Sequence, residues 1–202
     1  MRENSLNKIT LFALFCSSFS PLFLLIVIKQ IGANWEYLEW GGFNGKSLLI
    51  WLEKFSLTTY SIFAMIYGSL GTYFLLQNLK RRTINNGDRV IIIKASNKND
   101  QFLIYLVSYI IPFLSLGSSS ITDSICILIL LFFLCSLYLK SSLIMINPIL
   151  SFFGYNLYEV EYEFHNMTYE NIILIRSNDL EKGGKITIRK VGWNILFAIN
   201  NL

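Results

Sequence analysis

The residues able to carry catalytic or metal-binding chemistry are few and scattered. The chain has one histidine, His165, and three cysteines, Cys16, Cys126 and Cys135, which are far apart in the sequence. A zinc site needs a cluster of such ligands, and a cysteine nucleophile needs a histidine partner. No glycine-rich phosphate loop, HExxH motif or nucleophile elbow is present. We therefore expect no enzyme activity, no catalytic residue, no metal and no cofactor.

Three glutamates form the densest group of acidic side chains. Glu159, Glu161 and Glu163 alternate with apolar side chains over residues 158–164. A period of two places the carboxylates on one face of a β-strand. We interpret them as the solvated face of that strand rather than as a catalytic pair. His165 follows the strand, where we expect a turn residue rather than a catalytic base.

Further strand patterns accompany this one. Residues 89–94 follow the turn dipeptide Asn86-Gly87, and the tail has apolar or alternating runs at 171–176, 185–189 and 192–199. Short strands leave edges with unpaired backbone groups. A domain of about 50 residues is marginally stable by itself. We therefore expect a small sheet that leans on the preceding loop, on the membrane or on another subunit.

The rest of the chain is apolar and poor in charge. Of its 202 residues, 53% are hydrophobic and 15% are charged, against about 25% charged in soluble proteins. About 20 helical residues cross a bilayer core, and we predict spans at about 9–28, 55–79, 101–119 and 121–146. The predicted fold class is an α-helical integral membrane protein with four transmembrane helices and a small cytoplasmic β subdomain.

The basic residues lie mainly on one side of the predicted spans. Fourteen Lys and Arg residues fall in the N-terminus, in the inner loop 80–100 and from Lys140 to the C-terminus, whereas the outer loop 29–54 contains three. By the positive-inside rule, this asymmetry places the richer side in the cytoplasm. We expect a multi-pass protein with both termini cytoplasmic.

The predicted spans contain hydroxyls, prolines and small residues but no ionisable group near their centres. We expect kinks at Pro21 and Pro112, and the missing ionisable relay argues against ion-coupled transport. In the second span small residues recur at helical spacing and allow close helix contact: Ala64, Gly68, Gly71 and Thr72. This small-residue stripe packs either within the monomer or between subunits, and both alternatives stay open.

Two groups of residues mark the predicted membrane boundaries. The basic cluster Lys80, Arg81 and Arg82 follows the second span, and anionic lipid is its expected partner. An outer aromatic patch is either an interfacial belt or a surface that responds to damage at the envelope: Trp35, Tyr37, Trp40, Phe43 and Trp51. We expect no direct nucleic-acid binding, because no aromatic platform accompanies the basic residues.

The layout of the chain, with the segment NPILSFFGYNLYEV at 147–160 leading into the predicted sheet, resembles the KwaA family. These are membrane proteins of the bacterial Kiwa anti-phage defence system. The resemblance is one of layout over nearly the whole chain and involves no catalytic motif. It implies a homo-oligomer in the bacterial inner (plasma) membrane that detects phage infection at the envelope. It also implies a cytoplasmic DNA-binding partner, KwaB.

We accordingly predict a sensor and scaffold with a transmembrane region at 1–150 and a cytoplasmic β subdomain at 151–202. The partner is expected to dock at a strand edge beside four basic residues: Lys182, Lys185, Arg189 and Lys190. Pairing of these residues with the glutamates of the first tail strand is the alternative, structural role. An oligomeric pore or channel-like membrane effector is the alternative function.

Overall fold

The structure, a computed structural model, describes residues 6–38, 44–99, 121–140, 147–165, 167–176, 180–191 and 195–200. Its helices are α1 (Lys8–Ser18), α2 (Ser20–Ala33), α3 (Gly45–Asn86), α4 (Ile121–Lys140) and α5 (Pro148–Phe152), with a short 3₁₀ helix at Trp35–Leu38. Its strands are β1 (Asp88–Asn97), β2 (Asn156–Phe164), β3 (Met167–Ile175), β4 (Lys185–Lys190) and β5 (Ile195–Asn200).

The first predicted span consists of two helices, α1 and α2, that meet at a bend of 55°. Pro21 lies in the first turn of α2 and has no N–H to offer the Ser17 carbonyl, so the helical hydrogen bonding is interrupted there. The kink predicted at Pro21 is confirmed, and Pro112 lies outside the described residues. Helix α2 packs along α3, where the side-chain oxygen of Gln30 accepts two hydrogen bonds of 2.7 Å from the backbone and the hydroxyl of Thr58.

Helix α3 leads directly from the apolar part of the molecule into the barrel. It begins at Gly45, where the Asn44 side chain accepts a 2.8 Å hydrogen bond from the Ser47 backbone. Its 42 residues extend about 63 Å at about 1.5 Å per residue. Gly87 alone separates it from β1, and a Cβ at Gly87 would lie 3.1 Å from the Ile188 carbonyl oxygen. The junction therefore needs a residue without a side chain.

The five strands close into a barrel in the order β1-β2-β3-β5-β4. All neighbouring strands are antiparallel except β3 and β5, and β1 pairs with both β2 and β4. This is a Greek-key barrel of the OB type. His165 forms the β2–β3 turn with a φ of 51°, which confirms its prediction as a turn residue. The barrel interior is filled by alternating apolar side chains, among them Val90, Ile92, Val160, Ile173, Ile186 and Leu196.

The inner loop supplies the strand that closes the barrel. Residues 88–97 pair with β4 at one end and with β2 at the other, across a β-bulge between Ile92 and Lys94. Each described strand therefore has a neighbour on both sides. The open strand edge that we expected as a docking site is absent from the described sheet, because closure pairs the edge groups.

The predicted fold class, with four transmembrane helices, is wrong. In the parts of the chain that the structure describes, one helix, α3, is long and apolar enough to cross a membrane, or two spans exist if the bent α1–α2 pair counts as one. The apolar part of α4, Ile125–Leu139, is shorter than a membrane crossing requires. Residues 101–120, which include the predicted third span, and 141–146 lie outside the described residues. The β part is a closed five-stranded barrel rather than a small appended sheet.

Candidate functional site at the junction of helix α3 and the barrel

A cavity of about 510 Å³ lies where α1, α3 and α5 meet the end of the barrel. We call it the junction cavity. Its α3 wall consists of residues at spacings of three and four, which lie on one face of the helix: Ser69, Thr72, Tyr73, Leu76, Gln77 and Lys80. This face extends about 16 Å along the helix axis from Ser69 to Lys80. The volume is within the range of about 300–1,000 Å³ typical of small-molecule sites.

The chemical character of the cavity changes along its length. Ser17 and Thr72 line the end that lies in the charge-free part of α3. Apolar side chains line the middle, including Leu76, Phe153 and Phe197. At the barrel end the cavity has two cationic side chains, Lys80 of α3 and Arg176, which directly follows β3. The cavity is therefore neutral at one end and positively charged at the other.

The hydroxyls of Ser17 and Thr72 are buried and have no hydrogen-bond partner among the described residues. Ser17 is 1% exposed and Thr72 is 4% exposed. A buried hydroxyl without a partner costs about 1–3 kcal/mol. Both residues line the junction cavity, so a polar group bound there can satisfy the hydroxyls once their side chains rotate toward it.

The cations at the barrel end are available for a ligand. Lys80 and Arg176 are exposed, and neither forms an ion pair with another described residue. Tyr155 also lines the cavity, and its ring centre lies 6.1 Å from that of Phe197 on β5. Burial raises the pKa of the Tyr155 phenol, and the nearby Arg176 charge offsets part of that rise. The phenol thus stays neutral at pH 7 and adds no charge opposite the cations.

The basic cluster predicted at the membrane surface divides between two environments. Lys80 lines the cavity, whereas Arg81 and Arg82 are exposed on α3. The carbonyl oxygen of Arg82 accepts a 3.0 Å hydrogen bond from the guanidinium of Arg189 on β4. This bond ties the barrel to the last turns of α3.

The four predicted docking residues are not equivalent. Lys182, Lys185 and Lys190 are exposed at and before β4, whereas Arg189 is half-buried against α3. The alternative in which these residues pair with the β2 glutamates is wrong, because β4 lies between β1 and β5. Glu159 instead forms a 3.0 Å ion pair with Lys98, which follows β1.

The small-residue stripe faces α1 of the same chain. A Cβ added to Gly68 would lie 2.7 Å from the carbonyl carbon of Cys16, and one added to Gly71 would lie 2.5 Å from the Ala13 side chain. Ala64 and Thr72, the other members of the stripe, are buried. The stripe was expected to pack either within the monomer or between subunits. Its close contact with α1 shows packing within the monomer.

The outer aromatic patch is exposed where the structure describes it. Trp35, Tyr37 and Trp51 are each about half exposed or more, while Trp40 and Phe43 lie outside the described residues. The indole N–H of Trp51 donates a 3.0 Å hydrogen bond to the Thr59 hydroxyl. The ammonium of Lys54 lies 5.3 Å from the centre of the Tyr37 ring. These contacts orient the rings, but they leave an aromatic surface at the N-terminal end of α3.

Sequence reasoning missed the residues that build the junction cavity from separate segments. Arg176 follows an apolar strand pattern and Ser17 lies within an apolar run, so neither residue is distinguished in the sequence as part of a site. Gln30, which bonds to Thr58, carried a usable signal, because it is an amide next to an apolar run. Within the described ranges, no three His, Cys, Asp or Glu side chains are grouped so that they hold a metal ion.

Comparison with known proteins identifies the family. The family model described as "Anti-phage protein KwaA" matches residues 10–197. The Kiwa protein KwaA of Escherichia coli O55:H7 (strain RM12579 / EPEC) is 27% identical over 183 residues, which cover 90% of this chain and 89% of that protein. No solved structure matches. The family match over almost the whole length confirms the resemblance and shows that this chain belongs to the KwaA family, the anti-phage component of the Kiwa system.

Proposed function

We propose that the chain is a membrane-anchored sensor and scaffold without catalytic activity. In this proposal, α3 transmits changes at the cell envelope to the barrel, and the barrel recruits or controls a cytoplasmic DNA-binding effector of the KwaB type. The observation that carries the proposal is the continuity of α3. It extends without a break from the outer aromatic patch, through a charge-free run, to the barrel.

The apolar surface of α3 supports placement in the bacterial inner membrane. The helix exposes large apolar side chains along its charge-free part, among them Ile62, Phe63, Ile66, Leu70 and Phe74. Soluble monomers rarely expose an apolar surface of this extent. The basic cluster begins directly after this part, where it meets anionic headgroups in the proposed orientation. The bent α1–α2 pair and α3 then form a hairpin, with the N-terminus and the barrel in the cytoplasm.

Self-association is part of the proposal but does not use the small-residue stripe, which is covered by α1. Among the described residues, the exposed apolar face of α3 is one surface available for contacts between copies within the membrane. Packing of side chains rather than the hydrophobic effect drives such contacts in lipid.

The charge distribution on the barrel supports a protein partner rather than nucleic acid. OB-type barrels that bind oligonucleotides use the face of strands 2 and 3. Here β2 carries Glu159, Glu161 and Glu163, and Glu170 of β3 lies opposite Glu161. Carboxylates on this face repel a phosphate backbone. Lys182 and Lys185 are exposed before and at the start of β4 and Lys190 is exposed at its end, so basic side chains are available on this strand for an acidic face of the effector.

The experiment that tests this proposal loosens the connection between α3 and the barrel. A Gly-Ser-Gly-Ser insertion after Gly87 lengthens the junction, and the same insertion after His165 in the β2–β3 turn is the matched control. Protection of cells against phage and co-purification of the effector are measured for both. We expect the insertion after Gly87 to abolish protection while the effector still co-purifies, because a flexible linker transmits no displacement.

Two results would contradict the proposal. Full protection with the insertion after Gly87 would show that signal does not pass from α3 to the barrel. Unchanged effector binding after exchange of Lys182 and Lys190 for Glu would move the docking surface away from β4. Stable conductance in reconstituted bilayers would instead favour the alternative of a pore or channel-like effector.

A further inference from the structure

The junction cavity combines two features that the proposed function does not explain. It has a pair of cations at one end, Lys80 and Arg176, and a pair of buried hydroxyls without described partners, Ser17 and Thr72, at the other. We propose that the cavity binds an anionic glycerophospholipid, with its phosphate between Lys80 and Arg176 and its ester carbonyls at the two hydroxyls. This inference rests on the proposed membrane placement of α3.

The cations fit a phosphate group. Arginine presents a planar fork of N–H donors that matches phosphate oxygens, and lysine adds a compact charge. Arg176 follows β3 and Lys80 belongs to α3. A phosphate held by both residues therefore connects the barrel with the helix.

The hydroxyls fit the next part of a phospholipid. Ser17 and Thr72 each have one donor hydrogen without a described acceptor, and the ester carbonyls of a diacyl lipid are acceptors without donors. Side chains on a helix point back toward its N-terminus. A Lys80 side chain with this direction brings its ammonium closer to the level of Thr72 than the rise between the two Cα atoms indicates. The phosphate and the ester groups of one molecule can then contact both ends of the cavity.

The middle and the opening of the cavity fit an acyl chain. Leu76, Phe153 and Phe197 supply apolar surface, and Tyr73, which also lines the cavity, is 57% exposed beside Phe74 on the apolar face of α3. A lipid acyl chain that leaves the cavity past Tyr73 enters the region that we assign to the membrane. Water-soluble phosphates share the phosphate group, but they have no apolar part that could contact these side chains.

The test uses the purified full-length chain in neutral detergent. Phosphatidylglycerol is compared with phosphatidylcholine of the same acyl chains and with glycerol 3-phosphate, by native mass spectrometry and by the shift of the unfolding midpoint. We expect phosphatidylglycerol to stay bound and to raise the midpoint. Phosphatidylcholine, with no net charge, should bind about tenfold more weakly. Glycerol 3-phosphate should have no effect at the same concentration.

Variants connect the binding to the cavity. Lys80→Gln with Arg176→Gln should weaken phosphatidylglycerol binding about tenfold or more. The matched control, Arg89→Gln with Lys94→Gln, removes the same charge from exposed positions on β1 that neither line the cavity nor belong to the basic cluster, and it should bind as the wild type does. Thr72→Val keeps the shape of the side chain, so a smaller loss of binding with an unchanged fold is expected.

The outcomes separate this inference from the proposed function. Equal binding of the two lipids, equal loss in both double variants, or an equal effect of glycerol 3-phosphate would each overturn the phospholipid assignment. Failure of the chain to sediment with cell membranes would overturn the membrane placement instead. Membrane fractionation of the wild type is therefore measured beside lipid binding.

Discussion

Gly68 sets the distance between α1 and α3. A Cβ at this position would lie 2.7 Å from the carbonyl carbon of Cys16 and 2.9 Å from its Cβ. Both atoms belong to or adjoin the backbone of α1, so they move only if the helix moves. The same absence of a side chain allows Ser17 to approach the junction cavity.

We expect Gly68→Ala to destabilise the fold by about 1–3 kcal/mol, since overpacking at a helix contact forces the backbones apart. Gly32→Ala is the matched control, because a Cβ at Gly32 of α2 meets no atom within 4 Å. Thermal unfolding in detergent measures both variants. Equal midpoints for the two variants would show that α1 does not pack on Gly68.

At the scale of elements, the barrel depends on a strand that is distant in the sequence. Strand β1 precedes β2 by more than fifty residues, yet it pairs with both β2 and β4. Closure through β1 buries apolar side chains from all five strands in one interior. Tyr162 of β2 packs at this interior, and its hydroxyl accepts a 3.2 Å hydrogen bond from the Asn171 side chain on β3.

The burial of Tyr162 predicts loss of stability in alkali. Burial raises the pKa of its phenol, because an apolar environment disfavours phenolate; Tyr169 and Asp88 add to the rise, and the Asn171 hydrogen bond opposes it. A raised pKa in the folded state gives stability that is present below the ordinary pKa of about 10 and is lost as pH rises through the folded value.

We therefore expect the free energy of unfolding to fall above about pH 10. Unfolding is monitored by the strand signal in circular dichroism. Tyr162→Phe should reduce this slope, although losing the Asn171 hydrogen bond costs about 0.5–1.5 kcal/mol at pH 7. Tyr37→Phe, outside the barrel, serves as the control. An alkaline slope that Tyr162→Phe leaves unchanged would exclude this phenol as its cause.

At the scale of the whole molecule, α3 defines two ends. Its N-terminal end carries the described part of the outer aromatic patch, and its C-terminal end enters the barrel through Gly87. Eleven basic residues lie in the last turns of α3, in the barrel strands or beside them, against three in the outer loop 29–54. In the proposed orientation these ends lie on opposite sides of the inner membrane.

Cysteine labelling in intact cells tests the orientation. The three native cysteines are first replaced, and single cysteines are then introduced at the exposed positions Lys46, before the charge-free run, and Lys185, in the barrel. A membrane-impermeant maleimide should modify Lys46→Cys and should modify Lys185→Cys only after lysis. Modification of the barrel site alone in intact cells would reverse the orientation.

The amino-acid sequence by itself determined the local features of this protein. Alternation over 158–164 predicted β2, the Asn86-Gly87 dipeptide marked the start of β1, and Pro21 predicted the bend between α1 and α2. The two strands and the bend were predictable because hydrophobic period and a missing N–H act within a few residues, although Asn86-Gly87 forms the end of α3 rather than a turn.

The tertiary structure decided which segments meet. The spacing of apolar residues does not indicate which strand closes a sheet. The pairing of β1 with β4 was therefore not predictable, and neither was the loss of the expected docking edge that follows from it. The charge-free runs showed how long each apolar segment is, but not whether the segment forms one continuous helix. The four-span prediction was therefore wrong. The junction cavity brings together Ser17, Lys80 and Arg176, each unremarkable in its own segment, because three distant elements pack at the end of the barrel.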